Sequence, residues 1–284
     1  MGANMFPVIN GWEAELAPPT PLQKETNFPS DYGRDLPTGD DDGSWFRLPP
    51  TYNTGGLERY NAAGAQVWSK VFTDIHADAD HFTGVFWLDT SDSAIWVWVC
   101  DIGTTPDTYY LAKVALSDGA VTSVGSCQPG DGLFGTSFYM YYTERAAMGS
   151  GNLTIRDGDY KIVLDTSDGS IATAAVQVTQ NGAAIHSYNS YETEDGLIYL
   201  VKAPIVVLAN GSLALGISRG GTMKNVRLPF SCPCGLLLPY FILWGGYVAL
   251  CNVSANQNFN SRFFERTALD AWITKIADYY GLPN

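Results

Sequence analysis

The sequence predicts a mainly β protein made of meander hairpins, propeller-like or a β-sandwich in architecture, with an extended N-terminal arm and a C-terminal α-helix. Three observations carry that prediction. Turn formers and rings are abundant, with 29 Gly, 15 Pro and 13% aromatic residues beside only 16% charged ones. Strand-length apolar runs alternate with turn signals from residue 56 to 258. The apolar spacing becomes helical only in the last segment. At 284 residues and 46% hydrophobic content the chain can bury a sizeable core, which excludes wholesale disorder.

Residues 1–55 hold eight of the fifteen prolines, from Pro7 to Pro50. Proline at that density blocks helices and ladder hydrogen bonds, so an extended arm is expected. Trp12, Phe28, Trp45 and Phe46 are spaced through it, and a solvating tail has no use for such rings. They are candidate contacts to a neighbouring subunit, or to the chain's own core.

Residues 56–258 read as a β-domain of repeated hairpins. Leu57–Tyr60 and Gln66–Trp68 flank one turn, and Gly84–Asp89, Ala94–Cys100, Tyr109–Leu116 and Ala120–Val124 form a four-strand meander. Tyr160–Leu164 returns through Thr166–Gly169, Ile205–Leu208 through Asn210–Gly211, and Phe241–Trp244 through Gly245–Gly246. Turn glycines at 64, 119, 169 and 211 are 55, 50 and 42 residues apart, an approximate blade period. A sandwich of ordinary hairpins is the alternative.

Residues 259–284 read as an amphipathic helix of about five turns. It would be capped at Asn260 or Ser261 and ended by Gly281 and Pro283. Leu269, Trp272, Ile273, Ile276 and Tyr280 share its apolar face, while Asp270, Thr274, Lys275 and Asp278 point away. The face is expected to be buried on the chain's own domain or, as an assembly contact, on a partner.

A net charge of −13 repels phosphate backbones and anionic lipid, so neither specific nucleic-acid binding nor membrane insertion is expected. The first residues show no basic or apolar leader pattern, and the longest apolar run, Leu236–Cys251, is broken by Pro239 and two glycines. Five irregularly spaced cysteines form no disulfide framework, and Cys100 and Cys251 read as small core residues. A reducing cytoplasm is the expected place of synthesis.

The best candidate for chemistry is Asp74–His81. In an extended strand Asp74, His76, Asp78 and Asp80 would share one side and could hold a divalent cation, otherwise no cofactor is expected. The bland reading is an ordinary acidic loop. Asp40–Asp42 reads as a solvated turn, because consecutive aspartates point different ways. Glu192 and Glu194 are paired carboxylates of the kind glycoside hydrolysis uses, and no nucleophile motif, phosphate loop or zinc-helix motif occurs.

The hairpin from Tyr110 through Ser117–Asp118–Gly119 to Thr122, and its counterpart from Tyr160 to Ile171, resemble the blade strands of propeller proteins. With the proline-rich arm, the low charge and the terminal helix, the chain resembles a structural protein of a tailed-bacteriophage virion, of the tail nozzle or tail-tip type. The resemblance covers residues 56–220 and transfers no functional residue. It implies a non-enzymatic, ring-forming component located in the virion and assembled in the host cytoplasm. Its partners would be copies of itself and other tail proteins. The alternatives are a carbohydrate-active or lactone-type propeller enzyme with a divalent metal, and a receptor- or glycan-binding module.

Overall fold

The structure is a computed structural model that describes residues 34–37, 44–48, 56–130, 146–157, 160–180, 183–184, 190–194, 197–207, 212–231, 240–244, 246–253 and 259–283. Its strands form successive antiparallel meanders. Sheet I holds β1 (Arg34–Pro37), β2 (Trp45–Leu48), β3 (Leu57–Tyr60) and β4 (Gln66–Lys70). After the short helix α1 (Phe72–Ile75), sheet II holds β5 (His81–Asp89), β6 (Ala94–Asp101), β7 (Thr108–Ala115) and β8 (Val121–Cys127). Sheet III holds β9 (Ala146–Gly149), β10 (Asn152–Asp157), β11 (Tyr160–Asp165) and β12 (Ile171–Gln177). A small hairpin, β13 (Thr179–Gln180) and β14 (Ala183–Ala184), precedes sheet IV. That sheet comprises β15 (Ser190–Glu192), β16 (Ile198–Val207), β17 (Ser212–Arg219) and β18 (Thr222–Ser231). Sheet V comprises β19 (Tyr240–Trp244), β20 (Tyr247–Val253) and β21 (Phe259–Glu265), and the chain continues into α2 (Arg266–Tyr279). The first strands converge: β5 touches β9 and β19, and β19 touches β15. The fold is mainly β and propeller-like, with a C-terminal helix.

Sheet II has two buried faces, which is why β6 reads as a continuous apolar run. Ile95, Val97 and Val99 pack with Phe46, Leu57 and Trp68 of sheet I. Trp96, Trp98 and Cys100 face the other way, in one cluster with Leu153, Ile155, Ile162 and Leu164 of sheet III and with the apolar face of α2. The residue alternation of a strand divides one sequence between two cores.

The blade marker repeats in three dimensions. Residues 115–120 and 165–170 close the same turn: the Ala115 amide donates to the Ala120 carbonyl and the Asp165 amide to that of Ser170, both at 2.9 Å. In each, the aspartate side chain accepts from the amide two residues on, and the glycine takes φ near +72°. Each turn rests on the last strand of the preceding sheet, Gly119 on Trp68 and Gly169 on Gly125. In sheet IV the equivalent third-to-fourth-strand turn holds Gly220 and Gly221, both at positive φ. The marker series is therefore Gly64, Gly119, Gly169 and Gly220, at steps of 55, 50 and 51 residues. Gly211, expected as the fourth marker, lies one hairpin earlier in that sheet and outside the described residues.

Two expected boundaries fall inside sheets. Arg34–Pro37 and Trp45–Leu48, within the expected arm, pair with each other, and Trp45–Leu48 pairs on its other side with β3. At the other end, residues 259–265 are a strand rather than the start of the helix, fully paired with β20. Helix α2 begins at Arg266 with Glu265 as its flanking residue, so the expected caps Asn260 and Ser261 are strand residues. The helix docks on its own domain, against β16, β17, β20 and β21. Arg219 binds its end, donating from Nη2 to the Leu282 carbonyl at 2.6 Å and from Nε to that of Pro283 at 3.0 Å, and pairing with Asp278. Asp270 faces inward instead of away, accepting from the Tyr191 hydroxyl and, at 2.9 Å, from the Glu194 amide.

Asp89 closes the β5–β6 turn. Its Oδ1 accepts from the amides of Ser91 and Asp92 at 3.1 Å, and its Oδ2 accepts from Trp96 Nε1 at 3.2 Å. Burial pushes the Asp89 carboxyl up, but these hydrogen bonds together hold it below its ordinary value. A depressed carboxylate contributes stability above its unfolded pKa and loses it as pH falls through the folded one. Asp89→Ala is expected to cost about 1 kcal/mol at neutral pH, a figure already discounted for solvent screening. Urea unfolding at neutral pH and at steps into acid checks this, since the difference from wild type should shrink as pH falls below the unfolded carboxylate value and through the lower folded one.

Candidate functional site

The stretch 72–81 is not extended. Residues 72–75 wind into one helical turn because the Asp74 carboxylate accepts from the Val71 amide at 2.9 Å and Ile75 anchors the turn in the core. That turn destroys the two-residue alternation on which the four-ligand arrangement depended. Asp74 is occupied as a cap. The His76 ring stacks on Tyr110 with centroids 3.6 Å apart, and Asp78 lies exposed beside it. Asp80 turns to a different partner. The structure thus corrects the Asp74, His76, Asp78, Asp80 set: its members do not converge.

The partner of Asp80 is His81, and that of His81 is Cys100. In the register of sheet II, His81 and Cys100 stand directly opposite on neighbouring strands. A bulge between Phe82 and Val85 makes this so, since the regular pairing of Asp89 with Ala94 continued unbroken would set His81 against Ile102. Thr83 holds the bulge by donating to the Trp98 carbonyl at 2.6 Å. His81 Nε2 lies 2.8 Å from Cys100 Sγ, Nδ1 lies 3.8 Å from it, and Nδ1 meets Asp80 Oδ1. Asp80 is fixed across the strands by its amide, which donates to the Cys100 carbonyl at 2.9 Å, and its carboxylate accepts from the Ile102 amide.

Aspartate, imidazole and thiol in that sequence have the connectivity of a nucleophile relay. Burial opposes that use: Cys100 is 1% exposed and His81 2%. Burial first, then the carboxylates of Asp80, Asp107 and Asp101, pushes the Cys100 thiol far up, so the nucleophilic thiolate is suppressed. Cys127, one strand beyond Tyr109 in the same row, is pushed up to about 12 by burial, with a Trp98 hydrogen bond opposing. What remains is a ligand set. Asp80, His81 and Cys100 each offer one ligating atom, all within 4.8 Å of one another, and form a group capable of holding a metal ion. Cys100 reads as core from the sequence and His81 closes the Asp74–His81 stretch outside its four-ligand set, and only the hairpin pairing with its bulge joins the two.

The assembly candidates divide. Trp12 and Phe28, like the Asp40–Asp42 cluster, lie outside the described residues. Phe46 is fully buried between sheets I and II, and Leu269, Trp272, Ile273 and Ile276 are buried in the core beneath α2. Side chains already enclosed by their own chain are not contact surfaces for another, which corrects that expectation for these five. Tyr280 is half-buried. Trp45 is on the opposite face of β2 from Phe46, half-buried and stacked on Tyr60 at 4.1 Å with the Arg47 guanidinium over both rings. Of the paired carboxylates, Glu192 is buried and bound to Arg156, and Glu194 is exposed with its amide bound to Asp270.

No protein-family model and no curated protein matches the chain. Among solved structures, it is similar to a protein of unknown function from Bacteroides caccae, at 12% identity and a TM-score of 0.38, over 75% of this chain and 68% of that one. It is also similar to an oligogalacturonate lyase in complex with manganese, at 13% identity and a TM-score of 0.36, over 83% of this chain and 62% of the lyase. A third is the GH43 protein BlXynB from Bacillus licheniformis, at 9% identity and a TM-score of 0.41, over 85% of this chain and 53% of that protein. The chain thus spans between about half and two thirds of these proteins' lengths, and likeness of this degree carries no argument about activity. Among the described residues, no helix is long and apolar enough to cross a membrane.

Proposed function

We propose that the chain is a non-enzymatic structural component of a phage virion, a ring-forming tail protein of nozzle or tail-tip type. Copies of itself and other tail proteins would be its partners. The observation that carries the reading is the outer edge of sheet III. Strand β12, Ile171–Gln177, holds no charged residue and no proline, pairs irregularly with β11 and, among the described residues, with no strand on its other side, and is largely exposed, with Val176 at 47%. Sheet edges that meet only water are usually guarded by charge, proline or a cover, because an open ladder recruits further strands. An edge without charge or proline on a chain of net charge −13 fits a surface meant for a neighbour. The same negative charge suits a component that DNA passes without adhering. A divalent cation, where one is held, belongs to Asp80, His81 and Cys100, where burial suits a structural staple.

Native mass measurement of the full chain tests the reading. A discrete multimer is expected, and Ala174→Lys with Val176→Lys should shift it toward monomer without lowering Tm. A wild-type monomer at micromolar concentration would falsify it. Removal of residues 1–33, which leaves β1 and β2 in place, tests the arm and should also weaken assembly.

A further inference from the structure

We propose that Asp80, His81 and Cys100 form a zinc site that pins the start of sheet II. The inference stands on the geometry of this group and is independent of the assembly reading.

The donor set selects the metal class. Thiolate and imidazole together favour zinc over calcium or magnesium, which take all-oxygen shells, and a single carboxylate is a common companion. The spacing fits. With Zn–S near 2.3 Å and Zn–N near 2.0 Å, a tetrahedral ion separates sulfur from nitrogen by about 3.5 Å. Cys100 Sγ lies 2.8 Å from His81 Nε2, so that gap has to open by somewhat under an ångström to admit an ion and the Asp80 carboxylate has to swing off Nδ1, and the three ligating atoms already lie within 4.8 Å of one another.

The support around the ligands is that of a fixed site. Strand pairing sets His81 opposite Cys100, Thr83 secures the bulge, and the Asp80 amide is bound to the Cys100 carbonyl. Access is one-sided. The histidine and cysteine are buried, whereas the Asp80 side chain is 43% exposed and leads from solvent to them. Binding replaces the thiol hydrogen by a sulfur–zinc bond, the proton leaving to solvent past Asp80, and a water completes the shell.

The test uses the full chain, freed of metal by chelation and then titrated with Zn²⁺ and separately with Co²⁺. One equivalent per chain is expected, with a thiolate-to-cobalt charge-transfer band and a rise in Tm on zinc addition. Cys100→Ser should abolish the band. Asp80→Asn, on the exposed side of the group, leaves the core intact and should weaken binding about 10- to 100-fold. Failure of wild type to retain zinc at micromolar free metal overturns the proposal. So does cobalt binding whose band survives in Cys100→Ser, which places the metal elsewhere.

Discussion

Gly125→Ala is expected to destabilise the protein by about 3 kcal/mol, the upper part of the range for overpacking. On β8 an added Cβ would stand 1.7 Å from the Asp168 carbonyl oxygen and 2.6 Å from its carbon. Neither atom belongs to a flexible side chain. Asp168 sits in the turn that closes β11 onto β12, whose hydrogen bonds run from the Asp165 amide to the Ser170 carbonyl and from the Gly169 amide to the Asp165 carbonyl. Relief of the clash therefore needs sheet III to move off sheet II or the turn to open. Gly149→Ala is the control, because nothing lies within 4 Å of the Cβ it would add. Urea unfolding followed by tryptophan fluorescence should separate the two by midpoint. If Gly125→Ala unfolds with Gly149→Ala, the turn-on-strand contact does not hold the sheets at their spacing. Gly169→Ala should be costly too, since its φ is +73° and its Cβ would meet Gly125 backbone. The double variant should then cost less than the sum, because one displacement of the turn relieves both.

That contact explains what could and could not be read from the sequence. Sheet II was legible strand by strand because its apolar runs and turn residues are local signals, and β6 is apolar throughout since both its faces are covered. The turn glycines were legible as a period, but only the paired strands show which hairpin each belongs to, so Gly220 replaces Gly211 as the fourth marker. Gly125 itself carries no sequence signal, since a strand glycine looks the same whether or not a neighbouring sheet touches it. The helix face was correct at Leu269, Trp272, Ile273 and Ile276, yet its start was placed too early. Phe259–Glu265 carries polar residues that suit a helix start and ring residues that suit a strand, and pairing with β20 decides between them. The Asp74–Asp80 arrangement assumed an extended backbone, and a single side-chain cap on Val71 overturned it. The His81–Cys100 pair depends on a bulge that shifts the register by two residues. Such a shift is a tertiary choice that leaves no mark in hydrophobic periodicity.

The junction between sheets III and IV rests on different chemistry, and Arg156→Ala is expected to cost about 3–5 kcal/mol there. Arg156, at the end of β10, is buried and donates from Nη1 to Glu192 Oε2 of β15 at 3.2 Å. Removing the guanidinium takes the Arg156 cation from a carboxylate in a site largely closed to water, and breaking one half of a buried pair costs more than the Coulomb energy the pair supplied. Replacing both partners by apolar residues of similar volume, Arg156→Met with Glu192→Leu, removes both charges together and should recover most of the loss. The comparison distinguishes a pair that is costly to break from one that adds stability over an apolar junction. Urea unfolding of the two single variants and the double one measures it, and an Arg156→Ala midpoint close to wild type would remove the pair from the account of how these sheets join. The pair also has a directional requirement that apolar contacts lack, since the guanidinium reaches Glu192 only when β10 and β15 meet in one seating. The double variant should therefore keep its unfolding free energy while its near-ultraviolet dichroism weakens. Tyr191, beside Glu192 and bound to Asp270 of α2, is the reporter placed to show that loss of a unique packing.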